Sequence, residues 1–250
     1  DLKPGFSFII RAKNESFNVE SCLRSLIPIL DIYKNSEIIF VNNMSSDDTF
    51  EKAQNILDNY ENCLVLNYNV DVPPCGEKHK KIVKNNMELS LGTFYRWCYS
   101  FSTRYNVIKW DCDFYCILPN LIKIIKTYNL NETNEDLSVW FSGEQIFIKD
   151  EQVYIDNTSY FLYNEPRIHS KFNGFIYEDS VDLLWETPFT KYLIQNEIND
   201  NSYHYGFPTS YYLVRYLEAR KITLDVDIYE YFDNIYEKNN IKNIIKKIKK

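Results

Sequence analysis

The stretch NVIKWDCDFYCILPN, residues 106–120, decides how the chain is read. It opens on a short, largely apolar run that ends at two carboxylates, Asp111 and Asp113, with only Cys112 between them. Such a run is the pattern of a buried strand, and residues two apart on an extended backbone share one side. Asp111 and Asp113 are therefore expected to point together while Cys112 points the other way.

What precedes the stretch says where that strand lies. GFSFIIRA (5–12) is a run of strand length, after which Val19, Cys22, Leu23, Leu26 and Ile27 recur at helical spacing until Pro28 interrupts them. EIIFVNN (37–43) is a second strand. It leads into SSDDTFEKAQNILDNY (45–60), where Ser45 or Ser46 can cap a helix and Asp47 and Asp48 suit its first turn. Phe50, Ala53, Leu57 and Tyr60 make the buried stripe of that helix. CLVLNY (63–68) is a third strand, residues 69–86 read as a polar loop, and MELSLGTFYRWCYSFS (87–102) as a buried helix feeding the fourth strand. Strands alternating with helices imply an α/β fold with a mostly parallel sheet flanked by helices and a ligand crevice at the carboxyl ends of the strands. The carboxylate pair then falls at the crevice.

From about residue 138 the rhythm changes to strand-like pieces, LSVWFSGEQIFI (137–148), QVYID (152–156) and TSYFLY (158–163), with TSYYLVRYLEARK (209–221) a later helix. No linker rich in Gly, Pro or Ser and no internal repeat divides the 250 residues. One domain over 1–250 is expected, with a nucleotide-binding half (1–116), a mixed second half (117–237) and a basic amphipathic C-terminal helix (238–250). That helix puts Ile241, Ile244, Ile245 and Ile248 on one stripe, with six lysines among residues 238–250. It suits a membrane surface or a neighbouring domain, as well as packing on its own domain.

Composition narrows the function classes. At 45% apolar and 25% charged residues the chain is globular in type, with no apolar run of membrane-spanning length and no charged-then-apolar leader. A cytoplasmic protein is the expectation. The net charge of -7 argues against nucleic acid as a partner, because phosphate backbones are bound through clustered Lys and Arg. The six cysteines form no C-x-x-C and several lie in apolar periodic segments, so they read as reduced thiols. The six glycines make neither G-x-G-x-x-G nor a Walker loop, so a bound nucleotide must be held by strand ends.

A bare D-x-D is weak evidence in a chain this rich in Asp. A second one, Asp225 with Asp227, lies in KITLDVDIYEY (221–231), where Ile222, Leu224, Val226 and Ile228 alternate with polar residues as on a strand with one wet face. Asp111 and Asp113 are distinguished by position. Two carboxylates so close repel, and each raises the other's pKa unless a cation lies beside them. A hard divalent ion with oxygen ligands, Mn²⁺ or Mg²⁺, answers that need, supplies positive charge to an acidic chain, and makes a metal-bridged diphosphate the expected ligand.

FSFIIRAKNESFNVESCLRSL (6–26), EIIFVNNMSSDDT (37–49) and VIKWDCDF (107–114) together resemble the opening of a family 2 type glycosyltransferase of GT-A fold. CGEKHK (75–80) followed by TFYRWCYSFSTRYNVIKWDCD (93–113) resembles a branch of that family with a K-W-D-x-D motif. The resemblance covers residues 6 to about 116. It implies a UDP- or GDP-sugar donor, a divalent metal, and transfer of the sugar to a hydroxyl acceptor on a glycan, protein or lipid, with the second half serving acceptor and catalysis. Carried over, Arg11, Ala12, Asn14 and Glu15 line the base and ribose pocket and Asn43 faces the base. Asp111, flanked by Trp110 and Cys112, lies near the ribose or donor sugar, and Asp113 is the principal metal ligand with Asp111 beside it. The chain departs from the family at Asn42-Asn43, where aspartate is often found; an amide donates as well as accepts, which leaves the base open.

An inverting transfer needs a base for the acceptor hydroxyl. FIYEDSVDLLWETPF (175–189) offers Glu178 and Asp179, with Asp182 and Glu186 as competitors, and Asp179 is the expected base because adjacent acids keep one pKa high. His204 is the expected third metal ligand, ahead of His79 and His169. Arg167 suits the diphosphate or an acidic acceptor as a bidentate fork, or a surface salt bridge, and Lys78, Lys80 and Lys81 meet phosphate or solvent. Two rivals stand beside this reading. A sugar-nucleotide pyrophosphorylase needs a Gly-rich loop after the first strand, and RAKNES (11–16) has no glycine. A non-catalytic domain of the same fold, binding a glycan or a partner, would have a decayed donor site, against which the intact Asp111 and Asp113 speak.

Overall fold

Phe6, Phe8, Ile10 and Ala12 alternate with Ser7, Ile9 and Arg11, and the alternation gives the first strand two covered faces. In the computed structural model, which describes residues 2–116, 118–132, 138–139, 142–149, 152–162, 167–171, 176–180, 183, 186–189 and 209–212, this strand is β1 (Lys3–Ala12) at the centre of a sheet. It is followed by α1 (Val19–Ile32), β2 (Glu37–Asn42), α2 (Thr49–Leu57), β3 (Cys63–Asn67), α3 (Glu77–Val83), α4 (Leu91–Ser100) and β4 (Arg104–Asp111). These four strands are parallel in the order β3-β2-β1-β4, so the connections reverse direction between β1 and β4. The expected mostly parallel sheet flanked by helices is thus present, and a switch point of this kind opens a crevice at the carboxyl strand ends.

One face of the sheet, with Phe8, Ile10, Phe40, Ile108 and Trp110, packs on Cys22, Leu23 and Leu26 of α1 and on α2. The other, with Ile9, Ile39, Val41 and Val107, packs on Leu91, Phe94 and Cys98 of α4. Trp110 is fully buried, its ring edge-on to Phe8 at 5.7 Å and to Phe114 at 5.6 Å. Burying an aromatic of this kind is worth about 1.5–3 kcal/mol, so the residue next to the carboxylate pair anchors the core.

Past β4 the chain turns into β5 (Phe114–Cys116) and α5 (Leu118–Thr127), then β6 (Ser138–Val139), β7 (Ser142–Lys149), β8 (Gln152–Leu162), β9 (Ile168–Ser170), β10 (Ile176–Asp179), β11 (Glu186–Phe189) and β12 (Thr209–Tyr212). Antiparallel β9 extends the main sheet beside β4, with β6 beyond it. β10 and β11 form an antiparallel pair, and β5, β12, β7 and β8 a separate sheet.

Four expectations need correction. Pro28 lies inside α1, not at its end: the carbonyl it leaves unbonded, that of Arg24 four residues back, is on the exposed side of the helix, and Ile29 and Leu30 keep the stripe buried beyond it. The loop 69–86 contains α3, whose inner side buries His79 and Val83. Asp48 stands at the N-cap of α2 instead of Ser45 or Ser46, and Asp47 takes the Thr49 N–H at 3.1 Å. Residues 209–212 form a strand held by β5 and β7 where a helix was expected; 213–221 and the basic tail 238–250 lie outside the described residues. All six cysteines are free thiols, as expected. No helix among the described residues is long and apolar enough to cross a membrane.

Candidate functional site

On the α4 face of the sheet β1 runs Ser7, Ile9, Arg11 and β4 runs Val107, Lys109, Asp111. Both strands change from apolar to charged toward their carboxyl ends. Arg11 and Asp111 are paired in register across β1 and β4, at the switch point itself. Arg11 Nη2 donates to Asp111 Oδ1 at 2.6 Å, and Arg167 Nη1, arriving just before β9, donates to Asp111 Oδ2 at 2.7 Å. Both guanidiniums lie on aromatic faces, Arg11 over Tyr95 at 3.9 Å and Arg167 over Phe114 at 4.8 Å. Burial opposes the charge on Asp111, but Arg167, Arg11 and Lys109 outweigh it and hold the carboxyl well below the usual carboxylate range.

Lys109 adds a third cation. Its Nζ donates to Glu186 Oε1 of β11 at 2.6 Å, with the rings of Tyr95 and Tyr177 at 5.0 and 5.7 Å. Burial raises the Glu186 pKa, yet Lys109 and Arg11 bring it below its ordinary value. Arg11, Lys109 and Arg167 thus gather beside Asp111 and Glu186, in a chain whose net charge is -7. Arg167, expected to meet an anion or a surface salt bridge, forms a buried ion pair; Glu186 is expected only as a competitor for the base, and Lys109 is not among the expected residues. Its signal was a lysine inside an apolar strand, which is buried only when paired.

The motifs after β1 and β2 interlock. Asn14, at φ +56°, takes the Ser46 N–H on Oδ1 at 2.8 Å and gives its own N–H to Ser45 Oγ at 2.9 Å. Glu15 N–H goes to Thr49 Oγ1 at 2.7 Å, and Ser16 N–H to Asp47 Oδ2 at 3.2 Å. Asn43 N–H bonds the Ala12 carbonyl at 2.8 Å, while its side chain donates to the Val70 carbonyl at 2.5 Å. Asn14, Glu15 and Asn43 thus build the rim of the crevice by hydrogen bonds within the protein, and the Ala12 side chain belongs to the core.

Other expected site residues are placed differently. Trp110 and Cys112 are core, Cys112 packing with Cys22, so neither faces a ligand. The strand ends at Asp111, and Cys112 and Asp113 form the turn into β5; the two carboxylates are not two positions of one extended strand. Asp179 Oδ1 accepts the Gly92 N–H at 3.1 Å, while His79 Nε2 accepts the Leu91 N–H at 2.9 Å and Ser90 Oγ the Thr93 N–H at 3.0 Å. Three segments therefore cap α4, and His79 carries its proton on Nδ1, which donates to the Leu183 carbonyl at 2.6 Å. Glu178 is exposed, on the opposite side of β10 from Asp179. Asp179 and Glu186 are paired across β10 and β11, and among the described acids weighed for this half, Glu178, Asp179 and Glu186, it is Glu186 that reaches the cationic cluster. His169 is buried against Tyr177, and His204 and Asp182 lie outside the described residues.

Among the described residues no three His, Cys, Asp or Glu side chains gather into a metal cage. Asp111 and Asp113 are hard oxygen donors, which fit Mn²⁺ or Mg²⁺ in a shell completed by water and phosphate, as Mg²⁺ prefers. They fit an ion brought with a diphosphate better than one held by protein alone.

No family model and no curated protein matches the chain. Among solved structures it is similar to Staphylococcus aureus TarS 1-349 in complex with UDP, at 12% identity over 87% of this chain and 63% of that one, with a TM-score of 0.47. It is also similar to Mycobacterium tuberculosis glucosyl-3-phosphoglycerate synthase, at 19% identity over 58% of this chain and 45% of that one, with a TM-score of 0.35. A structure of the latter enzyme in complex with Mg²⁺ and UDP gives 19% identity over 58% and 44%, with a TM-score of 0.34. The chain spans less than two thirds of the length of each.

Proposed function

We propose that the chain is a metal-dependent glycosyltransferase of the GT-A, family 2 type, moving a sugar from a UDP- or GDP-sugar to a hydroxyl acceptor with inversion. The observation that carries this reading is the gathering of Arg11, Lys109 and Arg167 around Asp111, at the strand switch point where the D-x-D turn begins. A buried cluster of three cations at the strand ends suits an anion, and guanidinium forks match phosphate oxygens. Mn²⁺ or Mg²⁺, when bound, would be held by Asp113 with Asp111 beside it and would offset charge on the leaving diphosphate.

The chain's own groups divide the remaining work. Arg11 and Arg167 hold the diphosphate, and the interlocked loops of Ala12, Asn14, Glu15 and Asn43 shape the base and ribose pocket. In the transfer the acceptor oxygen bonds to the anomeric carbon as the bond from that carbon to the phosphate oxygen breaks, and the hydroxyl proton passes to a base. Glu186 is the assigned base in place of Asp179, whose carboxylate is engaged at α4. A bound diphosphate beside Lys109 shifts the field on Glu186 toward negative and raises its proton affinity, which suits the task. The acceptor is a hydroxyl of a glycan, protein or lipid, and the basic tail 238–250 would bring the enzyme to a membrane surface or a neighbouring domain.

One observation favours a second reading, a non-catalytic domain that binds a glycan or a partner: both oxygens of Asp111 are already taken by arginines. Thermal unfolding with UDP, GDP, CMP and their sugar conjugates, each with and without Mn²⁺, separates the two. A ligand at about 100 times its Kd adds roughly 2.7 kcal/mol, readily seen as a shift. A shift with one base, larger when metal is present, is expected; no shift with any of them gives the second reading.

A further inference from the structure

Both oxygens of the Asp111 carboxylate are spent on guanidinium donors, one from each half of the chain. In that state Asp111 is a poor ligand for a divalent ion, because one lone pair on each oxygen already faces a guanidinium and Arg11, Arg167 and Lys109 repel the cation. The three members of the clamp are unequally held. Arg11 and Arg167 side chains are 6% and 5% exposed and lie on Tyr95 and Phe114, whereas Asp111 is 25% exposed and sits at the strand end beside the turn. The carboxylate is therefore the member that can leave.

We infer that the Arg11–Asp111–Arg167 clamp is a lock opened by a diphosphate. The phosphate oxygens take the guanidinium donors, Asp111 swings out, and only then does the D-x-D turn offer two carboxylates to the metal. Arg167 is in this sense a positioning residue for a metal it does not touch. Metal and nucleotide then bind with positive coupling, and the empty enzyme binds free divalent ions weakly. The inference rests on the donor-binding reading of the site.

Two binding measurements on the full chain test it. Mn²⁺ binding is followed by loss of the free-ion EPR signal, alone and with UDP or GDP, corrected for chelation by the nucleotide; nucleotide binding without metal is followed by calorimetry. In the wild type, nucleotide tightens Mn²⁺ binding by roughly 5- to 150-fold, the usual span of coupling between two sites. Arg167→Gln leaves Asp111 one guanidinium, so Mn²⁺ alone binds several-fold tighter than to wild type. Arg167→Lys keeps the charge but loses the fork, and gives a smaller rise in the same direction should the Gln variant fail to fold. Asp111→Asn empties the clamp, so metal-free nucleotide binds several-fold tighter.

Unchanged Mn²⁺ affinity in both Arg167 variants, or unchanged metal-free nucleotide affinity in Asp111→Asn, overturns the lock while wild-type nucleotide binding keeps the donor reading. If the wild type binds no nucleotide with or without Mn²⁺, both fall.

Discussion

Gly92 and Asp179 meet where the β10–β11 hairpin closes on α4: the Gly92 N–H donates to Asp179 Oδ1 at 3.1 Å, and a Cβ on Gly92 would stand 2.7 Å from the Asp179 backbone nitrogen. The glycine is there for close approach, not for an unusual backbone angle. The same hairpin carries Tyr177 and Glu186 to the cationic cluster, so the fit of α4 against β10 fixes one wall of the site.

Gly92→Ala is thus expected to push β10 off the helix and to cost about 1–3 kcal/mol, the range for overpacking a close contact. The urea midpoint reports the cost, and hydrogen exchange at 176–179 reports where it falls. Exchange that rises uniformly over the chain, with none of it localised to β10, would count against this picture.

The Lys109–Glu186 pair predicts an asymmetry. Both side chains are buried, so Glu186→Gln takes from the Lys109 ammonium the carboxylate at 2.6 Å and is expected to cost roughly 3–5 kcal/mol. Replacing the two together, Lys109→Met with Glu186→Leu, removes the ammonium as well and should cost much less than the single change. Equal losses in chemical denaturation would show that the pair is not dry.

Acid stability follows from the same cluster. Asp111 and Glu186 both have folded pKa values below their ordinary 3.8 and 4.5. A depressed carboxyl stabilises the fold fully above its unfolded pKa and loses that contribution as pH falls through the folded one. Wild-type stability should accordingly be insensitive to these two groups above about pH 5 and decline below about pH 4, with a shallower decline in Asp111→Asn. Urea midpoints between pH 2 and 7 would check this, and parallel slopes for the two proteins would remove Asp111 from the account.

The alternation of strands and helices through residue 111 was legible because each element carries its own periodicity, as in Phe6, Phe8, Ile10 and in Val19, Cys22, Leu23, Leu26. Pro28 misled because the cost of a proline depends on which carbonyl it strands, a property of the folded helix. The site was half legible. Arg11, Asp111 and Arg167 were found, two by motif and one by its chemistry, but that they join one another across 100 and 56 residues of sequence is a fact of strand order. Lys109 and Glu186 were obscured for the same reason. Asp179 read as a base because its partners, the α4 amides, are invisible to a sequence pattern.

Trp110 gives the sharpest contrast between motif and structure, since it sits inside the K-W-D-x-D motif and yet is wholly enclosed by Phe8, Phe114 and the α1 side of the sheet. Its strand neighbours Lys109 and Asp111 point to the opposite face, where the charged cluster lies, so the backbone carries them and the indole anchors that backbone. Trp110→Phe removes part of the edge-on packing and leaves a void, for a loss of roughly 1–3 kcal/mol, below the 3–5 kcal/mol usual for truncation to Ala. Nucleotide affinity in the folded variant should stay at the wild-type value. Arg11→Gln should do the reverse, weakening nucleotide binding tenfold or more, about 1.4 kcal/mol or above, through loss of a charged fork. Melting temperature and nucleotide Kd measured on both variants decide the matter: a Trp110→Phe protein of unchanged stability that binds nucleotide poorly would return the indole to the ligand side and undo the assignment of the two sheet faces.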